Sequence, residues 1–256
     1  MYNYKEKLII KKFNKLLLKD VKKGGSKMKR GKNYDADMFI NQSPSQFLER
    51  RLATLYGIGS SVIRALDLVK EEMCREKGYR RDNGTDYYNH CIDVANILIS
   101  FGIKDEDVIC AALLHDMIED VPGYRENTIA NMFNHNVARL VMLVSKEHDK
   151  DYKDPKNLKE YISNISTDMD ASALKTADCM HNMMSMEEKT FDARYNKALE
   201  IKIYYMPFLK RCMYEFPRYE NLFYAAVMQT EPLIFHIESF YEEIKRVKEE
   251  ANKKVK

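Results

Sequence analysis

Four ionisable side chains follow directly on an apolar run in the middle of the chain. The run Ala111-Ala112-Leu113-Leu114 leads into His115-Asp116, and Glu119-Asp120 come after two further residues. A buried charge costs several kcal/mol unless it is paired or bound to a metal ion. Imidazole combined with carboxylate is a donor set that suits a divalent first-row ion. On one continuous helix these four side chains would share a broad face, so we predict a metal site near the end of that helix.

Two residues on other predicted helices can complete the ligand set. His90 opens the helix just before this one, and Asp178 lies in a largely apolar helix further along the chain. With His115 and Asp116 they supply two imidazoles and two carboxylates. Such a set leaves positions open for water and substrate, which a catalytic metal needs to generate hydroxide at neutral pH.

Each of these residues also has an ordinary explanation. His90 alone could be a helix cap or a hydrogen-bonded core residue. The adjacent pair His115-Asp116 arises by chance in many proteins, and Asp178 alone could cap a turn or pair with a lysine. The joint pattern, with every member in a helix of suitable character, favours the metal site.

The elements that must position these residues are predicted to be helices. Glycine and proline are few, with nine and six residues, and unbranched side chains that lose little freedom on a helix are abundant. No alternating strand pattern is found, so we predict an all-α helical bundle. Apolar periodicity and capping residues predict helices over 61–77, from about Tyr88 to Gly102, from Asp105 to Asp120, and over 171–187, 190–212, 218–230 and 233–252.

The N-terminal segment differs from the rest of the chain in charge. Residues 1–32 carry a net charge of +10, from twelve Lys or Arg and two acidic residues. We predict a disordered basic segment over 1–41 and a single helical domain over 42–256. A basic arm for nucleic acid or a membrane surface is the alternative for this segment. A further hypothesis is that Met28 is the true start, because Lys23-Gly24-Gly25 can be encoded by a stretch like a ribosome-binding site.

Composition places the protein in a reducing compartment. The five cysteines are scattered, with no Cys-x-x-Cys pair, which argues against a disulfide framework. No stretch approaches the roughly 20 apolar residues that cross a bilayer. We therefore expect a cytoplasmic protein with no membrane partner, and the net charge of +3 implies no particular partner.

The ligand pattern resembles a known family. His…His-Asp…Asp on an all-helical chain is similar to the HD-domain phosphohydrolases, and implies the HD-domain helical bundle. A finer resemblance, over roughly Glu71 to Arg211, is to the hydrolase domain of the RelA/SpoT homologues. The segments that carry it are Arg81-x-x-Gly84-x-x-Tyr87-x-x-His90, Ala111-Ala112-Leu113-Leu114-His115-Asp116-x-x-Glu119-Asp120 and Lys175-x-Ala177-Asp178-x-x-His181-Asn182-Met183.

This resemblance implies an activity and a role for each matching residue. The implied reaction is hydrolysis of the 3′-pyrophosphate of guanosine alarmones, which converts ppGpp to GDP and pppGpp to GTP. The implied roles are one Mn²⁺ ion per site on His90, His115, Asp116 and Asp178, handling of the attacking water and the leaving group by Glu119 and Asp120, and substrate contacts by Arg81, Asn83 and Asn182.

The chain departs from the family pattern at three positions near the expected substrate. Cys91 replaces a proline, Cys179 replaces an arginine and Asp82 replaces a basic residue. These changes remove positive charge near an anionic nucleotide, so a different nucleotide substrate with the same metal chemistry is the first alternative. The second is a non-catalytic module that binds nucleotides, or nucleic acid through residues 1–32. The intact acidic and imidazole set argues against it, and nucleic acid is not the expected partner.

Overall fold

Helices form nearly all the regular structure in the part of the chain that the computed structural model describes, residues 44–82, 84–186 and 189–253. In those residues the only β-pairing is an isolated bridge between Arg80 and Asp86, which confirms the all-α prediction. The α-helices are α1 (Pro44–Tyr56), α2 (Ser61–Glu72), α3 (Tyr88–Ser100), α4 (Glu106–Leu114), α5 (Met117–Asp120), α6 (Glu126–Met132), α7 (His135–Val144), α8 (Pro155–Ile165), α9 (Met169–Met184), α10 (Phe191–Glu200), α11 (Met206–Glu215) and α12 (Glu220–Lys253).

The described helices belong to one unit, Ser43–Lys256. The predicted basic segment 1–41, with the proposed start at Met28, lies outside the described residues, and so does Asn83. No helix in the described part combines the length and apolar character that crossing a membrane requires.

The short helix α4 lies at the centre of the core. Asp105 caps its N-terminus by accepting hydrogen bonds from the N–H groups of Asp107 and Val108. Every residue from Val108 to Leu114 is fully buried, because α4 is packed by α2, α3 and α7 on its different sides. A helix that is apolar all round must be enclosed in this way.

Helix α9 is the second central element. Asp168 caps it by accepting from the N–H of Ala171 at 2.8 Å. It packs against α3, α7 and α12, and its buried face carries Asp178 among apolar neighbours. The packing of α9 on α3 brings the predicted ligands Asp178 and His90 to the same place.

The predicted continuous helix from Asp105 to Asp120 is wrong. Helix α4 ends at Leu114 and α5 begins at Met117. Between them Asp116 has φ −95° and ψ −2°, a conformation between helix and turn. The break re-aims His115 and Asp116 relative to the apolar run that precedes them.

Three other helix boundaries also differ from the sequence predictions. Helix α2 stops at Glu72, because the chain turns and the Arg75 N–H donates to the Asp86 carboxylate at 2.8 Å. The segment 190–212 is interrupted by a π-helical turn just before Pro207, a residue that has no N–H to donate to the preceding turn. Conversely, α12 continues through Pro232, because packing against α9, α10 and α11 holds both halves in line.

Candidate metal centre

The structure brings the four predicted ligands together. The Nε2 atom of His90 lies 3.7 Å from Asp116 Oδ2 and 3.2 Å from Asp178 Oδ1. The Nε2 atom of His115 lies 3.1 Å from Asp116 Oδ2 and 3.8 Å from Asp178 Oδ1. The donor atoms of His90, His115 and Asp116 all lie within 4.8 Å of one another. Helix α3, the α4–α5 break and helix α9 therefore each contribute to one cluster.

The surroundings of His115 indicate that a cation fits the ligand cluster. The Nδ1 atom of His115 lies 2.8 Å from the carbonyl oxygen of Ala112, so Nδ1 carries a ring proton and Nε2 is the atom that faces the carboxylates. This Nε2 is buried and makes no hydrogen bond of acceptable geometry, although a carboxylate oxygen of Asp116 is close. A buried Nε2 this close to a carboxylate oxygen needs a positive centre between the two atoms, which is a proton without metal and the ion once metal is bound.

Spacing and chemistry both suit one divalent ion. Imidazole nitrogen and carboxylate oxygen bind such ions at about 2.0–2.2 Å, so two donors that share an ion lie about 3–4 Å apart. The four nitrogen–oxygen distances of 3.1, 3.2, 3.7 and 3.8 Å fall in that range. The residues present fit the metal that the ligand pattern implies.

The cluster keeps its carboxylates ionised. Burial is the largest single influence and acts to raise the pKa of Asp178, but the Lys175 ammonium group, together with His90 and His115, outweighs it and holds that pKa well below its usual range. Burial likewise opposes ionisation of Asp116, and His115 outweighs it and lowers the pKa of Asp116 to about 2. Both oxygen donors are therefore charged at neutral pH.

The two imidazoles differ in charge. Burial lowers the pKa of His90, so this ring is neutral. Burial also acts to lower the pKa of His115, but the Asp116 carboxylate outweighs it and the pKa lies well above its usual value. Without a cation, His115 therefore holds a proton against Asp116, and a bound metal would displace it.

A ring of hydrogen bonds holds the two carboxylates in place. Lys175 Nζ lies 2.8 Å from Asp178 Oδ2, and Asn182 Nδ2 donates to Asp178 Oδ1 at 2.6 Å. The hydroxyl of Tyr87 donates to Asp116 Oδ2 at 2.9 Å, and burial followed by the Asp116 charge raises the pKa of Tyr87. Sequence reasoning gave Tyr87 and Lys175 no role, although each lies three residues before a predicted ligand, a spacing that puts them on the ligand's side of a helix.

Glu119 and Asp120 occupy different positions relative to the cluster. Glu119 lines the same cleft as the ligands, and its Oε2 accepts from the Lys146 N–H at 3.0 Å. Asp120 lines the adjoining cavity instead. Although the residue as a whole is exposed, burial of its carboxyl group, with the charges of Asp116 and Glu119, raises the pKa of Asp120 to about 6.

Cationic side chains surround the open side of the cluster. The cleft above the ligands has a volume of about 160 Å³, and its lining includes Lys146, Lys175 and Lys197. The lining also carries Asp116, Glu119 and Asp178, so a bound divalent ion would make the cleft net positive and suit it to an anionic ligand.

A second cleft adjoins the first and shares Tyr87, Asn182 and Lys197 with it. It contains the predicted substrate residue Arg81, whose guanidinium donates to Ser185 Oγ at 2.7 Å. The predicted substrate residue Asn182 thus borders both clefts, although its amide is engaged with Asp178.

With this geometry established, comparison with known proteins identifies the family. Residues 65–212 match the family model described as "HD domain". This match covers more than half of the chain, and the chain therefore belongs to the HD-domain family, as the ligand pattern predicted.

Curated relatives and one solved structure are similar to parts of the chain. It is 33% identical over 140 residues to the bifunctional (p)ppGpp synthase/hydrolase SpoT of Escherichia coli, covering 53% of this chain and 20% of that protein. It is 32% identical over 144 residues to the GTP pyrophosphokinase rsh of Brucella melitensis, covering 54% and 19%. The chain thus spans about a fifth of the length of these relatives.

The similar structure is described as a metazoan ortholog of SpoT that hydrolyzes ppGpp. It has a TM-score of 0.51 and 23% sequence identity, over 70% of this chain and 94% of that one. At this identity the likeness concerns the fold, and the HD-domain helical bundle is confirmed.

Proposed function

We propose that the protein is a metal-dependent hydrolase that removes the 3′-pyrophosphate of guanosine alarmones, converting ppGpp to GDP and pppGpp to GTP. The observation that carries this proposal is the convergence of two imidazoles and two ionised carboxylates around the unpartnered, buried Nε2 of His115. The similarity to SpoT over 140 residues supports the substrate class.

In this proposal His90, His115, Asp116 and Asp178 hold one Mn²⁺ ion. Such an ion supplies a Lewis acid that polarises a phosphoryl oxygen and makes water a stronger nucleophile. Lys175 keeps Asp178 charged, and Tyr87 holds the Asp116 carboxylate by its hydrogen bond. A hydrogen-bond partner such as Tyr87 orients a ligand side chain and is needed for full metal affinity.

The remaining acidic residues have separate proposed roles. Glu119 borders the metal cleft and is proposed to position the attacking water. Asp120, with a pKa of about 6, is proposed to accept the proton that this water loses, because a base works best when its pKa is near the working pH. The backbone N–H of Asp120 donates to the carbonyl oxygen of Asp116, four residues earlier, at 2.8 Å. This bond keeps Asp120 beside the cluster.

The lysines of the cleft support an anionic substrate. Lys146 and Lys197 would help to neutralise the pyrophosphate that is released. The second cleft would take the nucleoside, with Arg81 at the base or its phosphates and Asn182 at the ribose. Two of the residues that depart from the family pattern lie beside lysines of these clefts. Asp82 is paired with Lys189 at 3.0 Å, and the charge of Lys197 acts on the Cys179 thiol.

A second candidate, hydrolysis of a different nucleotide, is favoured by those same departures. Cys179 lines the metal cleft and Asp82 lines the second cleft, so these two residues change the shape and charge around the proposed substrate. Cys91 is fully buried beside His115 and acts on the ligand instead. We infer a cytoplasmic location in either case, supported by five free thiols.

The test begins with protein purified without added metal. Metal content is measured by elemental analysis, and ppGpp hydrolysis is followed with Mn²⁺ and with chelator. We expect GDP and pyrophosphate only with metal, loss of turnover in Asp116→Asn, and normal turnover in Asp67→Asn, a matched change at an exposed position of α2. Turnover of another nucleotide in place of ppGpp would select the second candidate, and full activity of Asp116→Asn would exclude both.

A further inference from the structure

A chain of hydrogen-bonded side chains extends from the back of His90, away from the proposed metal. The Nδ1 atom of His90 lies 2.6 Å from Nδ1 of His181. The Nε2 atom of His181 lies 3.1 Å from Oδ2 of Asp93. His90 and Asp93 are three residues apart on α3, and His181 reaches them from α9, so the contacts also join the two helices.

Metal binding by His90 determines which ring nitrogen carries the proton in each of the two histidines of this hydrogen-bonded series. The Nε2 atom of His90 faces Asp178 and Asp116, so it is the atom that would bind a cation. A ligand nitrogen must present its lone pair, and the ring proton of a neutral His90 then sits on Nδ1. Because Nδ1 of His181 has to accept that proton, His181 carries its own proton on Nε2, which points at the Asp93 carboxylate.

From this geometry we propose that His181 and Asp93 are positioning residues, which hold His90 in the tautomer and ring orientation that bind metal. This inference rests on the proposed metal site. His90 is 2% exposed, so the Nδ1–H group has no water to replace a lost partner, and a buried donor without an acceptor is costly.

The two ligand imidazoles are thus oriented by different means. His115 donates its Nδ1 proton to a backbone carbonyl, that of Ala112, which no substitution removes. His90 depends on a side chain, which a substitution can replace. Metal affinity is therefore open to adjustment through His181 and Asp93 without any change to the four ligands.

The test measures metal affinity directly, with no nucleotide present. Competition with a chromogenic chelator gives the dissociation constant for Mn²⁺, and visible absorption of the Co²⁺-loaded protein reports the ligand environment. We expect His181→Phe, which keeps a ring but cannot accept a hydrogen bond, to weaken binding about 10–100-fold. His181→Asn places an acceptor oxygen near the former Nδ1 and should restore most of this loss.

Asp93→Asn tests the outer end of the chain. Its amide oxygen can still accept from His181, and Asp93 is partly exposed, so we expect a smaller loss of affinity than in His181→Phe. Asp67→Asn, on the exposed face of α2, is the matched control and should bind metal as the wild type does.

Thermal unfolding of the metal-free variants separates a binding defect from a folding defect. If His181→Phe does not fold, the comparison of Asp93→Asn with Asp67→Asn decides the matter. Unchanged Mn²⁺ affinity in the folded variants would overturn the inference and leave the proposed hydrolase intact. Mn²⁺ affinity that depends on His181 and Asp93, in a wild-type protein that does not hydrolyse ppGpp, would do the reverse.

Discussion

The ion pair between Lys175 and Asp178 allows a quantitative test of the electrostatics of the site. The two charged atoms lie 2.8 Å apart, and the side chains are only 12% and 8% exposed. Removing one member of a buried pair leaves an uncompensated charge, at a cost of about 3–5 kcal/mol. We therefore expect Lys175→Met to lower the free energy of unfolding of the metal-free protein by about that amount.

A matched substitution on the surface provides the comparison. Lys202 Nζ also lies 2.8 Å from a carboxylate, that of Glu238, but the lysine side chain is 53% exposed. Exposed pairs are screened by water and contribute about 0–1 kcal/mol. Lys202→Met changes the same atoms at the same distance, so the difference between the two variants reports burial.

The pH dependence of the loss has a definite sign. Against the opposing effect of burial, Lys175 with His90 and His115 holds the pKa of Asp178 below its unfolded value, so this stability is present above the unfolded pKa of about 3.9. It is lost as the pH falls through the lower, folded pKa. The gap between wild type and Lys175→Met should therefore be full at neutral pH and narrow below about pH 4, where the unpaired Asp178 can take up a proton.

Binding of a divalent ion should also narrow the difference in stability between the wild type and Lys175→Met. A cation bound to Asp178 replaces the lost ammonium charge, so Lys175→Met should gain more stability from Mn²⁺ than the wild type does. Urea unfolding at neutral pH, with chelator and with Mn²⁺, measures both effects. Equal losses in Lys175→Met and Lys202→Met, with no effect of metal on the difference, would refute the reasoning.

Three further predictions concern the site and the core. Tyr87→Phe removes the hydrogen bond to Asp116 and should reduce Mn²⁺ affinity or turnover about 10–100-fold, measured by chelator competition and by product release. Leu113→Ala at a fully buried position should cost about 2–5 kcal/mol in urea unfolding, against about 0.5 kcal/mol or less for Leu55→Ala, which is 42% exposed. Because the proposed base must be ionised, kcat/KM should rise as the pH increases through about 6, the pKa of Asp120, and Asp120→Asn should lose that rise.

Each of these has an outcome that contradicts it. Wild-type metal affinity and turnover in Tyr87→Phe would mean that the hydroxyl does not orient Asp116. Similar losses in Leu113→Ala and Leu55→Ala would mean that α4 is not enclosed as described. A pH profile that keeps its rise near 6 in Asp120→Asn would assign the proton transfer to another group.

Local sequence determined the helices and the identity of the candidate ligands. Asp105 and Asp168 cap the two helices that carry the cluster, and their chemistry is readable from neighbouring residues alone. The apolar run before His115 predicts burial, and a charged group at the end of a buried run needs a partner. These signals depend only on residues within a few helical turns of one another, so the sequence by itself reveals them.

Boundaries that depend on distant partners were not readable in this way. Helix α2 ends early because Asp86, from beyond the following turn, accepts from Arg75. Helix α12 survives Pro232 because its packing compensates for the lost hydrogen bond. In both cases a contact made only in the folded protein outweighs local propensity.

Tertiary structure alone decided which groups face the ligands from behind. Asp93 is an ordinary polar position on α3, and 88 residues separate it from His181. Periodicity states which face of a helix is buried, but not which side chain of another helix meets it. The packing of α3 on α9 makes that choice, and with it the surroundings of His90.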